Sequence, residues 1–250
     1  MKSVLRRVLR FVGPWLSPTV PEWVMVALYR VRVAFRGLTR APVLHASIRD
    51  SPADVLFINL DHRLDRRLRF ETEVSRIEGL RIERVKATRD SNGLLGCALS
   101  HLDALSRVAS SRMSFAVICE DDADFHVDSD ELDGLIAAFM QDPGLDVLCL
   151  GYMSSGAEVS LNSSLRLANR IQTTSCYVVK RRALLALKLV FRASAWLLRA
   201  GARPSNVALD ILWRPLQGSV LTFAVPDTHA VTQHQSFSDI YGSVRKKDGT

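Results

Sequence analysis

"SFAVICEDDADFHVD", residues 114–128, runs from an apolar stretch straight into a cluster of acids. Phe115, Ala116, Val117, Ile118 and Cys119 form the near-continuous apolar run of a strand covered on both faces, as in parallel sheets. Glu120, Asp121, Asp122, Asp124 and Asp128 follow within nine positions. Neighbouring carboxylates repel one another and resist dehydration, so this junction of core and acid needs a counter-charge. A divalent cation is the obvious candidate.

The sequence on either side of this stretch decides the architecture. Upstream, "ADVLFINL" (53–60) reads as a buried strand. "DHRLDRRLRFETEVSRIEG" (61–79) has helical charge spacing and stops at Gly79, and "LRIERVKA" (80–87) alternates as a strand should. "LSHLDALSRVASS" (99–111) reads as a helix. Downstream come the helix "ELDGLIAAFM" (131–140) and the strand "LDVLCLG" (145–151). Strand and helix in alternation specify an α/β fold, an open and mostly parallel sheet with helices on both faces. After Gly151 the pattern changes to two short strands, "SLRLANRIQ" (164–172) and "SCYVVK" (175–180). The long helix "RALLALKLVFRASAWLLRA" (182–200), a short helix or turn "NVALDILW" (206–213) and a late strand "SVLTFAVP" (219–226) complete the domain. The tail from 238 to 250 is polar and basic, and fraying is expected there.

Composition narrows the classes. Of the 250 residues 48 % are apolar and 24 % charged, the balance of a globular protein. Nine of the 33 Lys and Arg, but only Glu22 and Asp50 of the 26 acids, lie in residues 1–50. The net charge of +7 therefore belongs to that arm, and the balanced remainder lacks the basic stripe that nucleic acid requires. Within the arm, Arg32, Arg36 and Arg40 recur among Trp23, Val24, Leu28, Tyr29, Val31 and Phe35. That pattern suits either the surface of an anionic membrane or helices packed on the main domain. Arg6, Arg7 and Arg10 break up a secretory signal core. No Cys-x-x-Cys pair exists, which argues against a zinc site built on thiolates. Cys97, Cys119, Cys149 and Cys176 read as free thiols of a reducing compartment, so the expected location is cytoplasmic, with the arm at the inner face of a membrane.

In open α/β sheets ligands bind beyond the carboxyl ends of the strands. One strand end supplies Asn59, Asp61, Arg63 and Arg66; another Glu120, Asp121 and Asp122; a third Gly151 and Tyr152. Basic side chains converging with a carboxylate trio suit an anionic ligand bridged by Mg²⁺ or Mn²⁺, such as a nucleoside diphosphate. Asp128, Asp130 and Glu131 are placed instead at a helix start, where the dipole favours acids. "DADFHVDSDELD" lacks the central Gly of a calcium loop. In "NGLLGCALSH" (92–101), Gly96 would let backbone approach a ligand, and Ser100 and His101 would cap or line the site. His234 follows the last strand, a position suited to a further metal ligand.

Taken in order, "VLFINLDHRLDRR", "GCALSHLDAL", "AVICEDDADF", "LDVLCLG" and "TTSCYVVKRRALLAL" resemble the motifs of glycosyltransferase family 25. That family includes bacterial lipopolysaccharide and lipooligosaccharide galactosyltransferases and procollagen galactosyltransferases. The resemblance covers about residues 53 to 241 and leaves the arm outside. It implies a GT-A fold, a divalent metal and inverting transfer of galactose or another hexose. The donor would be a nucleotide sugar such as a UDP-sugar, the acceptor a hydroxyl of a glycan or lipid-linked glycan. The expected donor-side residues are then Asn59, Asp61, Arg63, Arg66, Gly96, Ser100, His101, Glu120 and Asp121. The metal ligands would be Asp121, Asp122 and His234. Asp210, a lone acid in an apolar stretch at a position the family fills with Asp, would be the base that deprotonates the acceptor. The chain is shorter than many members between "ERVKATRD" and "GLLGCALSH", which bears on acceptor contacts. A nucleotidyltransferase on the same sheet and an inactive membrane-associated relative are the competing readings.

Overall fold

The computed structural model describes residues 20–38 and 53–234, with the backbone of the two-residue strands 237–238 and 243–244. The apolar runs become strands β1 (Ala53–Asn59), β2 (Leu80–Lys86), β3 (Phe115–Glu120), β4 (Ala123–Phe125), β5 (Val147–Ser154), β6 (Glu158–Ser160), β7 (Leu165–Ala168), β8 (Ile171–Lys180), β9 (Phe223–Pro226) and β10 (Val231–Gln233). Eight of them form one sheet in the order β2-β1-β3-β8-β5-β9-β7-β6, while β4 pairs separately with β10. β1 is parallel to β2 and β3, and β9 is parallel to β5. β8 lies antiparallel between β3 and β5, and β7 antiparallel between β9 and β6. Six strands therefore share one direction and two oppose it.

The pleat sends alternate side chains to opposite faces, and each face has its own core. Leu56, Ile58, Ala116, Ile118, Val147 and Cys149 pack under helices α3 (Gly93–Ser110) and α5 (Leu184–Arg199). Val55, Phe57, Val117, Cys119, Leu148 and Leu150 pack under α2 (Leu64–Val74) and α4 (Ser129–Gln141). The expected α/β sheet with helices on both faces is present. Two single-turn helices, α6 (Pro204–Val207) and α7 (Leu209–Leu212), lead from α5 toward β9.

The two short strands expected after Gly151 differ from what is observed. Residues 171–180 are one ten-residue strand, β8, buried in mid-sheet. The polar Thr173 and Thr174 interrupt the apolar pattern, so one strand read as parts of two. The three cations at its end, "KRR" (180–182), hold the framework together. Lys180 donates to the carbonyls of Phe139 (2.7 Å) and Asp142 (2.6 Å) at the end of α4. Arg181 donates to those of Ala109 (2.8 Å) and Ser111 (2.8 Å) at the end of α3. Both satisfy carbonyls left open where a helix ends. Arg182 pairs with the fully buried Asp146 at 2.7 Å.

Helix α3 begins earlier than its apolar spacing suggests, because the Asn92 side chain accepts the Leu95 amide and caps it. Gly96 lets this first turn lie against the preceding loop: a Cβ there would sit 2.5 Å from the Thr88 carbonyl oxygen. Since that obstacle is backbone, Gly96→Ala is expected to lower stability by about 1–3 kcal/mol, read as a lower urea midpoint at unchanged slope.

Of the basic arm, residues 20–38 are described, and the reading of Arg6, Arg7, Arg10 and Arg40 falls outside them. Helix α1 (Glu22–Gly37) packs on the domain rather than projecting from it. Met25 is buried, the Tyr29 hydroxyl donates to Asp142 at 2.7 Å, and Arg32 donates to the Thr222 hydroxyl at 2.8 Å. Arg36 pairs with Asp146 at 2.9 Å. Arg32 and Arg36 thus bind the α1 helix to the sheet and are not presented together to an anionic surface. Among the described residues no helix is long and apolar enough to cross a membrane.

Candidate functional site

The alternation of β1 and β3 distributes the rim residues. Asn59 continues the face of Val55 and Phe57, and Glu120 continues the opposite face of Ala116 and Ile118. Glu120 accordingly meets α3, with its Oε1 3.4 Å from His101 Nε2 and accepting from the Thr174 hydroxyl at 3.0 Å. Asp121 turns to the α2 side, where Asn59 Nδ2 donates to its Oδ2 at 2.7 Å.

Helix α2 supplies the counter-charge by its periodicity. Arg66 donates to Asp121 Oδ1 and to Asp122 Oδ2, both at 2.6 Å. One turn on, Arg69 pairs with Asp124 and donates to the Ala123 carbonyl. Arg63 stands before the first turn of α2 and grips Asp65 through two bonds of 3.0 and 2.8 Å, holding that carboxyl down to about 2. Asp124 carries a second contact, His234 Nδ1 at 3.1 Å. The His234 amide donates to the Asp122 carbonyl at 2.6 Å, continuing the antiparallel pairing of β10 with β4. This two-stranded flap brings the chain back across the acid turn.

One arginine between two of three adjacent carboxylates leaves the turn under-neutralised. Burial pushes the Asp122 carboxyl up to about 7, helped by the Glu120 charge and opposed by Arg66. Burial likewise raises Asp121, against Arg66 and Asn59. Burial would raise Glu120 too, but the His101 and Thr174 contacts outweigh it and hold that carboxyl below its ordinary range. Among the described residues, the buried side-chain polar atoms lacking a hydrogen-bond partner are Asp122 Oδ1 and Arg214 Nε. Native proteins satisfy nearly all such atoms, so an orphaned buried acceptor in the acid turn marks a place that a ligand would satisfy.

Asp210 belongs to that region. It opens α7, its carboxyl is raised by burial, and it is countered by Arg214 and by the Thr173 amide. It lies near enough to Glu120 for their charges to interact. Thr173 has φ of 69°, a costly conformation for a β-branched residue. Strain of this kind concentrates at functional sites. Sequence reasoning missed Thr173 and Thr174 as site residues, because their roles depend on the register of β8.

Other expected residues take different positions. Asp61 leaves the acid turn and pairs with Arg84 (2.7 Å) and Lys86 (2.6 Å), which hold its carboxyl below the usual range. It borders a cavity of about 610 Å³ beyond the ends of β1 and β2, lined also by His62, Thr88, Arg89 and Arg107. Ser100 is buried, donates to the Gly96 carbonyl at 2.7 Å and accepts the Thr88 amide at 2.8 Å, so it holds α3 to that loop. Gly96 meets protein backbone. Tyr152 stacks on His229 with ring centroids 4.7 Å apart. Asp128 and Glu131 form a capping box at the start of α4, as expected.

Asp121, Asp122 and His234 do not present three converging ligand atoms, because Arg66 occupies the space between the carboxylates. Among the described residues, the three side chains whose ligand atoms lie within 4.8 Å of one another are Cys97, His101 and Glu120. The absence of a Cys-x-x-Cys pair bears on paired thiolates only. Cys97 and His101, four apart on one helix, were the signal available for a mixed set.

Compared with known proteins, the chain matches no family model and no curated relative. Among solved structures it is similar to the mannose-1-phosphate geranyltransferase from Thermus thermophilus. That match has a TM-score of 0.33 and 10 % identity over 73 % of this chain and 74 % of that one. At this level of similarity, the site must carry the functional argument.

Proposed function

We propose that this chain is a nucleotide-sugar-dependent transferase. More narrowly, we read it as a glycosyltransferase moving a hexose from a UDP-sugar to a hydroxyl of a glycan or lipid-linked glycan. The observation that carries the reading is the orphaned, buried Asp122 Oδ1 in a carboxylate-rich turn at the end of β3, with a second orphaned atom, Arg214 Nε, on the arginine that faces Asp210. A cation would satisfy the first and an anionic oxygen the second. A metal-bound diphosphate offers both.

The donor set suits Mg²⁺ or Mn²⁺, since hard ions take carboxylate oxygens. Asp121 and Asp122 would hold the ion, with His234 beside them on the flap. When bound, it neutralises charge developing on the departing diphosphate. The protein's own groups do the rest. Arg66, beside the acid pair, would supply a second positive charge to the diphosphate oxygens, and Arg63 would add to the field. Asn59 keeps Asp121 in place. The cavity bordered by Asp61, Lys86 and Arg89 takes the nucleoside. Asp210, raised by its buried setting, accepts the acceptor hydroxyl's proton at its carboxylate as the hydroxyl attacks the sugar.

Purified protein supplied with Mn²⁺ and a panel of nucleotide sugars tests this. Release of nucleoside diphosphate is expected; release of pyrophosphate would establish a nucleotidyltransferase instead. Asp210→Asn is expected to lower kcat by about 10²–10⁴ with donor affinity unchanged. Parallel loss of donor binding in a calorimetric titration would remove Asp210 from the base role.

A further inference from the structure

On the α3 side of the acid turn, one group of side chains takes no part in the proposed transfer. Cys97 and His101 lie one turn apart on α3 and face Glu120 at the end of β3. A Cys97 sulfur, a His101 ring nitrogen and a Glu120 oxygen all fall within 4.8 Å of one another. The His101–Glu120 separation of 3.4 Å is too long for a strong charge-assisted hydrogen bond. The ring is nevertheless held firmly. Its Nδ1 lies 3.2 Å from the Tyr177 hydroxyl, Tyr177 stacks on it, and Phe191 meets it edge-on.

We propose that Cys97, His101 and Glu120 form a binding site for a thiolate-preferring divalent cation of the zinc class, separate from the hard-ion site at Asp121 and Asp122. Sulfur, imidazole nitrogen and carboxylate oxygen are the three ligand types zinc takes, and a three-ligand set leaves the fourth position open, as in catalytic zinc centres. Bond lengths of about 2.0–2.3 Å put tetrahedral ligand atoms roughly 3.3–3.8 Å apart, so the observed cluster must close by only about 1 Å. Each flanking residue does what the outer shell of a zinc site does. With its proton on Nδ1 facing the Tyr177 oxygen, His101 offers the Nε2 lone pair to the ion. Thr174 fixes the Glu120 carboxylate.

The electrostatics favour a dication. Burial, with the charges of Glu120, Asp210 and Asp122 adding to it, pushes the Cys97 thiol well above its ordinary range, so the sulfur ionises only against a bound cation. Access is also selective: Cys97 is half-buried, whereas Cys119, Cys149 and Cys176 are buried. On binding, the Cys97 S–H bond breaks, a sulfur–metal bond forms and the proton leaves to solvent, with no change of oxidation state. The proposal rests on these side chains alone and stands apart from the sugar-transfer reading.

Cobalt(II) titrated into the full-length, reduced, metal-free protein reads the thiolate bond directly as a charge-transfer band in the near ultraviolet. The band is expected at one equivalent in the wild type and in Asp122→Asn, and absent in Cys97→Ser. A spectrum without that band in the wild type, or with it intact in Cys97→Ser, overturns the proposal. A second measurement needs no variant: Zn²⁺ is expected to slow alkylation of Cys97 at least tenfold, while Mg²⁺ leaves it unchanged. An alkylation rate indifferent to zinc also overturns it.

Discussion

Asp122→Asn is expected to abolish metal-dependent UDP binding and, in the same protein, to raise the stability of the metal-free state near pH 8. Both effects follow from one carboxyl. Removing a ligand oxygen with its charge costs more than the 10- to 100-fold lost with an outer-shell partner, so Mn²⁺-supported affinity should fall by at least about 100-fold. Stability moves the other way because the folded Asp122 has a carboxyl raised from 3.8 to about 7. A carboxyl raised by folding binds its proton more tightly in the native state than in the unfolded chain. The native state is therefore favoured at low pH and loses that advantage as pH rises from about 4 to about 7. Asparagine has no proton to lose, and its amide oxygen still accepts from Arg66. Urea titrations at pH 5 and pH 8 should show the variant gaining on the wild type only at the higher pH. An equal difference at both would place the raised carboxyl elsewhere. A site whose functional group destabilises its own fold is what differential selection for activity produces.

The second large effect lies far from the acid turn. Asp146 is fully buried, and one of its oxygens takes both Arg36 and Arg182 while the other accepts the Thr222 amide at 2.9 Å. Asp146→Ala strands two arginines and an amide at the point where α1, α5 and β9 meet. Breaking a buried ion pair from one side costs about 3–5 kcal/mol, and the part-exposed arginines put this case near the lower figure. For a chain of this size that corresponds to a fall in Tm of roughly 6–12 °C. Arg36→Ala should cost much less, since Arg182 still neutralises the carboxylate. Equal losses for the two variants would show that α1 docking depends on Arg36 itself and not on a shared charge.

Local signals carried much of the architecture. The β1 and β3 strands were legible because their apolar runs are continuous and end abruptly in polar residues. The period of two then dictates that Asn59 meets Asp121 and Glu120 meets α3, so a rim site could be read before any strand order was known. The placement of β8 between β3 and β5 was not legible, since antiparallel pairing across more than fifty residues leaves no local trace. With β8 hidden, Thr173, Thr174 and Tyr177 could not be assigned to the site. The separation of Asp61 from the acids was not legible for a related reason: its partners Arg84 and Lys86 sit on a neighbouring strand. For Arg32 and Arg36 the choice between a membrane surface and a packed helix stayed open, because nothing near them in sequence reveals Thr222 or Asp146.

A crystal grown with Mn²⁺ and UDP, with the ion located by its anomalous scattering, reaches the central claim most directly. The account predicts manganese and the diphosphate together at the Asp121–Asp122 turn, with the Arg66 contacts to that pair broken. Manganese and nucleotide bound elsewhere, with Arg66 still joining Asp121 to Asp122, would contradict it.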